Sequence, residues 1–219
     1  SFSLISIRFI FASLLIFIFF SKRIISNFSK TACLCGCLFG ILYTCVLFCE
    51  LTGLKTTPTG TAAFLENMAI IFVPLIESLI FRKKAGFRSW CCGLLALLGI
   101  GIISFSKNGF SLSKGQCFLL LAALFYSSAI ITTDKLSKKG NAFVMGFFQI
   151  LTTGVVSFLI TIFSGKLILP SSPSQLMMIS ILTVVCTCFG FTLQPVVQSK
   201  LPSQKVALFC ALGPFTAVI

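Results

Sequence analysis

With 219 residues, 57% of them hydrophobic and only 10% charged, the chain carries more apolar surface than one globular core of its size hides; an average soluble domain is about 25% charged. This composition predicts an all-α, polytopic membrane helix bundle and excludes a soluble domain. The net charge of +13 does not mark a nucleic-acid binder, because the basic residues fall in short clusters between apolar runs and not in one patch.

Eight apolar spans are drawn in chain order: A (1–20), B (31–54), C (58–81), D (89–106), E (115–133), F (142–164), G (174–198) and H (203–219). Span A holds Arg8. Span B carries Gly36 and Gly40, a small-xxx-small pair that lets helix backbones approach. It also carries Cys33, Cys35 and Cys37. On a helix, residues two apart point about 200° from one another, so these thiols do not converge on an ion and read as apolar filler. No metal or other cofactor is expected, and no disulfide framework.

Span C is the most informative. A helix of its length rises about 36 Å, enough to cross a hydrocarbon core of roughly 30 Å. Yet it contains Glu66, Asn67, Pro74 and Glu77. A charge at the bilayer centre costs at least about 2.5 kcal/mol, so an acid there is a candidate functional group. If the helix is continuous, Glu66 and Glu77 share one face about 16 Å apart. Glu50 near the outer end of span B reads as solvated. Asp134 among Lys135, Lys138 and Lys139 reads as a loop residue, and Trp90 at the start of span D as an interfacial anchor. Pro74, and Pro195 in span G, are candidate helix breaks that free carbonyls beside a cavity, or simple kinks.

The loops are short, and B–C is only Lys55, Thr56 and Thr57, which predicts a tight antiparallel hairpin. Twelve basic residues lie in or beside loops 21–30, 82–88, 134–141 and 199–202, against four in the alternate loops. The excess of positive charge places the first set in the cytoplasm of a multi-pass plasma-membrane protein. The chain opens at Ser1 and closes at Ile219 within apolar sequence, which reads as a fragment of a longer protein. Setting Pro58 against Pro202 aligns Ala63 with Ala207, Phe64 with Leu208 and Leu65 with Phe209. By the charge distribution, spans C and H enter from opposite sides, as an inverted-topology repeat would leave them.

The run GLKTTPTGTAAFLENMAIIFVPLIESLIFRKK followed by SWCCGLLALLGIGIIS resembles the fourth and fifth helices of the EamA-type transporters of the drug/metabolite transporter superfamily. Arg8-Phe9 resembles part of that family's second helix, KGQCFLLLAALFYSSAIITTDKL its sixth, and QSKLPSQKVALFCALGPFTAVI its eighth-to-ninth hairpin. The resemblance implies two inverted five-helix repeats, here residues 1–110 and 111–219 with four helices each, the first and tenth helices lying outside the chain. It also implies transport. Two family acids are not matched: Lys83 and Gly213-Pro214 stand at their places.

The expected activity is a secondary transporter, or permease, moving a small polar metabolite, outward or by exchange, by alternating access. Glu66 and Asn67 would hydrogen-bond the solute, or Glu66 would take up a coupling proton; equally, Glu66 would pair with Arg8 as a structural partner. Arg8 is otherwise a site for an anionic solute, and Gln149, Gln194 and Gln198 are lining candidates. Glu77 is expected to form an interfacial salt bridge with the run 82–84. Candidate partners are the solute, a coupling proton or exchange solute, the lipid bilayer and a second copy of the chain. With no His and four acids, no nucleophile–base constellation can be assembled, so an enzyme is not expected. There is no GxxxxGK[ST] loop for ATP. A channel would call for a filter sequence that is not seen, and a transport-inactive remnant is the other alternative.

Overall fold

Short polar side chains set where several helices begin. In the computed structural model the described residues are 2–81, 113–164 and 173–210, with positions 91, 94, 95 and 98 between them. All their regular structure is helical: α1 (Phe2–Ser26), α2 (Lys30–Gly53), α3 (Thr59–Asn67), α4 (Ala69–Phe81), α5 (Lys114–Leu136), a 3-10 turn (Ser137–Lys139) and α6 (Ala142–Phe163). Then α7 (Pro173–Ile181) runs into a π-helical stretch (Leu182–Phe191) and α8 (Thr192–Gln198), and α9 is Ser203–Cys210. Ser113 and Gln116 form a capping box: each backbone N–H donates to the other's side-chain oxygen, at 3.1 and 3.4 Å. Asn141 Oδ1 accepts from the amides of Phe143 and Val144 to start α6, and Ser29 Oγ accepts from Ala32 to start α2.

Six helical stretches among the described residues are long and apolar enough to cross a membrane: Phe2–Ser26, Lys30–Gly53, Thr59–Ile80, Lys114–Lys139, Ala142–Phe163 and Ile179–Gln198. They answer to spans A, B, C, E, F and G. Span D, with Trp90 and the basic run 82–88, lies outside the described residues, as does most of span H. Phe19, Leu79 and Phe163 are 76%, 79% and 87% exposed. Large apolar side chains turned outward along such helices belong against acyl chains.

Three expectations change. Helix α1 runs on to Ser26, with Phe20 out of helical geometry at the boundary drawn for span A; basic residues are stabilising at a helix C-terminus, and the Arg23 guanidinium lies 4.8 Å from the Phe143 ring centre. Asp134 is in the last turn of α5, not in a loop. It is buried and ion-paired with Lys138 at 2.9 Å, because the helix and its 3-10 extension outlast the apolar run. Span C carries a one-residue turn at Met68, as described below.

The chain folds into two compact units, each drawn from both halves of the sequence: residues 1–44 with 133–200, and residues 45–132 with 201–219. In the first, α1 and α6 pack antiparallel, with Phe17 against Phe147 and Phe20 against Phe143. A Cβ on Gly154 would lie 3.1 Å from the Ile10 nitrogen, so the two backbones nearly touch there. Gly36 and Gly40 do the same for α2 against α6: a Cβ on Gly40 would lie 2.8 Å from the Gln149 carbonyl oxygen. In lipid no hydrophobic effect drives helices together, so close backbone packing and hydrogen bonds must. Thr153 Oγ1 duly donates to the Gly40 carbonyl at 3.2 Å. Ala32, Cys35, Phe39, Val144 and Met145 form the core beside this contact, the filler role expected of Cys35.

In the second unit, the end of α2 meets the start of α5 through Gly53 and Gly115; a Cβ on Gly53 would lie 2.7 Å from the Gly115 carbonyl oxygen. Ala62, Leu65 and Leu119 pack together near that end. Val73, Ile130, Ile131, Val206 and Ala207 join α4, α5 and α9 at the other.

Candidate functional site

Span C breaks beside its acid. Helix α3 ends at Asn67, Met68 is a turn residue, and α4 starts at Ala69. The Met68 N–H donates to the Leu65 carbonyl at 3.2 Å and the Ile71 N–H to the Met68 carbonyl at 3.0 Å, both three residues back instead of four. Asn67 Nδ2 donates to the Ala63 carbonyl at 2.6 Å, a local side-chain bond that competes with the helical ladder. From α5, Ser127 Oγ lies 3.5 Å from the Ala69 carbonyl and donates to Ala123 at 2.7 Å. Pro74 lies inside α4, six residues past the break. The turn follows Asn67 and not the proline, and Met68 keeps right-handed helical dihedrals (φ −56°, ψ −18°) within the stretch Thr59–Ile80.

Glu66 is half-buried in the last turn of α3. Glu50 is half-buried in α2 and belongs to the same unit. Glu50 was expected to be solvated.

Glu77 is held by α9. Its Oε1 accepts from Ser203 Oγ at 2.9 Å and its Oε2 from Gln204 Nε2 at 3.0 Å. The carboxylate thus sits at the N-terminus of α9, where a negative charge is stabilising. The expected partners at 82–84 lie outside the described residues.

Arg8, Gln149 and Gln194 belong to the first unit, whereas Glu66 and Asn67 belong to the second. Arg8 is half-buried; its Nε is covered and has no hydrogen-bond partner among the described residues. Its guanidinium lies 5.1 Å from the ring centre of Phe9. Phe9, Tyr43 and Phe191 form an aromatic trio, with centroids 4.6 Å apart for Tyr43–Phe191 and 5.3 Å for Phe9–Phe191. Phe191 closes the π-helical stretch, a geometry that often accompanies functional sites. Pro195, four residues on, has no N–H for the Phe191 carbonyl. Gln149 is 4% exposed, with Oε1 lacking a partner among the described residues, while Gln194 is half-buried. Gln198 and Ser157 are wholly buried, and Gln198 Nε2 and Oε1 and Ser157 Oγ lack such partners too. Ser157 has no distinguishing motif in the sequence. Its burial on α6, in line with Gln149, Thr153 and Thr161 at four-residue spacing, is its one legible mark.

The chain matches the model of the EamA-like transporter family over residues 1–105 and 113–219. It is 32% identical over 76 residues to the uncharacterized transporter YdfC of Bacillus subtilis (strain 168), covering 35% of this chain and 25% of that protein. It is 24% identical over 168 residues to an uncharacterized transporter of Archaeoglobus fulgidus, covering 74% of this chain and 52% of the relative. The chain thus spans between a quarter and about half of the length of these relatives. A solved crystal structure with 16% identity superposes with a TM-score of 0.74 over 97% of this chain and 75% of its own, a likeness of fold. The protein is an integral membrane protein, and it belongs to the EamA-like transporter family.

Proposed function

We propose that the chain is part of a secondary transporter that moves a small polar metabolite across the plasma membrane by alternating access. In this reading two inverted repeats move against one another, and Glu66 takes up the coupling proton or contacts the solute. The observation that carries it is a half-buried carboxylate, Glu66, within a membrane-crossing helix and just before a one-residue turn at Met68. An acid at such depth is a functional group by default. The family membership and the names of the relatives support transport over enzymatic activity.

The test is efflux from proteoliposomes loaded with a labelled extract of small polar metabolites, at several pH values. Wild-type protein should release part of the extract faster than empty liposomes, and Glu66→Gln should lose the pH dependence of that release. Release by Glu66→Gln with unchanged rate and pH dependence rules out Glu66 as the coupling group. Absence of any release by the wild-type protein rules out transport.

A further inference from the structure

The aromatic trio and Arg8 are not accounted for by the break at Glu66. We propose that Arg8 is the anion anchor of the transported solute, and that this solute is a small carboxylate with an apolar body. The proposal rests on the transporter reading above and adds the substrate class.

A guanidinium within an apolar span is held by counter-charge or hydrogen-bond acceptors. Arg8 meets the ring of its own neighbour Phe9, and its Nε has no hydrogen-bond partner among the described residues. The side-on edge of a guanidinium presents parallel N–H groups that match the two oxygens of a carboxylate. Of the chain's four acids, Asp134 is paired with Lys138, and Glu77 is held by Ser203 and Gln204. The ring beside the cation, Phe9 of α1, packs in turn against Tyr43 of α2 and Phe191 of the π-helical stretch, all in one compact unit. Rings bind the apolar body, the cation binds the charge, and an amine is repelled. In the same unit Gln149 has a buried amide oxygen without a partner among the described residues, an acceptor for a second polar group of the solute. That Nε is covered is no obstacle in a protein that alternates, since an edge closed in one state is reached in another.

The experiment uses proteoliposomes of the full chain loaded in turn with pyruvate, phenylpyruvate, their amides, or phenethylamine. Keto acids are suitable because they are fully ionised and cross bare lipid slowly. At least one keto acid should leave faster than from empty liposomes, and its amide and the amine should not. Arg8→Gln should lower that rate at least about 30-fold, the effect of leaving a buried charge unmatched. Arg8→Lys, which keeps the charge but not the fork, should fall between. Gel filtration and the unfolding midpoint of each variant separate loss of the site from loss of the fold. Efflux of the amide or the amine that exceeds the empty-liposome rate by more than the keto acid's does overturns the carboxylate assignment while leaving transport intact. So does keto-acid efflux undiminished in Arg8→Gln, as would follow if Arg8 held a lipid headgroup. Recovery of efflux in Arg8→Gln combined with Glu66→Gln would show Arg8 to be a structural partner of that acid and also overturns the anchor. If neither keto acid leaves faster than from empty liposomes, the carboxylate assignment is overturned, and transport is decided by the metabolite-extract assay above.

Discussion

Polar side chains in a hydrocarbon setting are tolerated only with partners, and the partners here are specific. The Glu77 carboxylate accepts from both Ser203 and Gln204 and joins α4 to α9. Replacing it by Ala removes two hydrogen bonds to a charged acceptor, nominally about 1.5–3 kcal/mol each, reduced because the site is only half-buried. Glu77→Ala should therefore lower stability by about 2 kcal/mol in a denaturant titration in detergent micelles, and Glu77→Gln by less. The Asp134–Lys138 pair is different: Lys138 is 55% exposed, so Lys138→Ala should cost only about 0.5 kcal/mol in the same titration. Most hydroxyls in the spans are satisfied within their own helix, as with Thr44 Oγ1 on the Gly40 carbonyl at 2.8 Å and Thr161 Oγ1 on Ser157 at 2.8 Å. Gln149 and Ser157 depart from that habit.

At the level of elements, the packing of α2 on α6 rests on two glycines one turn apart. A side chain at Gly40 meets the Gln149 carbonyl and Thr152 and also displaces the acceptor of Thr153. Gly40→Leu should cost about 1–3 kcal/mol or more by overpacking, whereas Gly60→Ala, with open space about it, should change stability little. Unfolding midpoints in micelles compare the two. The GxxxG spacing made the first contact legible, but its partner on α6 was not, because spacing names a face and not what lies against it. Pro74 is where the sequence predicts a break or a simple kink in span C, since proline lacks the N–H of a helical bond. The turn follows Asn67 instead, whose amide competes for the Ala63 carbonyl, a propensity that sequence marks only weakly. Likewise, Pro195 marked span G as irregular, but the ten-residue π-helical stretch before it has no signature in composition.

For the whole molecule, the distribution of basic residues carries a prediction of sidedness. In a background with the native cysteines replaced, a cysteine at position 88 should react with an impermeant maleimide only after the cells are opened. One at position 166 should react in intact cells. Labelling of position 88 from outside would reverse the orientation proposed for loops 21–30, 82–88, 134–141 and 199–202.

Burial in lipid, length of span and charge between spans are local quantities, written residue by residue. The sequence by itself therefore determined the membrane class, the helical content, six of the spans to within a few residues and the family. Partnership is not local. That Glu77 would meet α9 and that Phe9, Tyr43 and Phe191 would gather were decided by tertiary structure. In these apolar helices nearly every face is greasy, so periodicity does not say which face meets protein. Close approach at a few glycines and the need of each buried polar atom for a partner settle it.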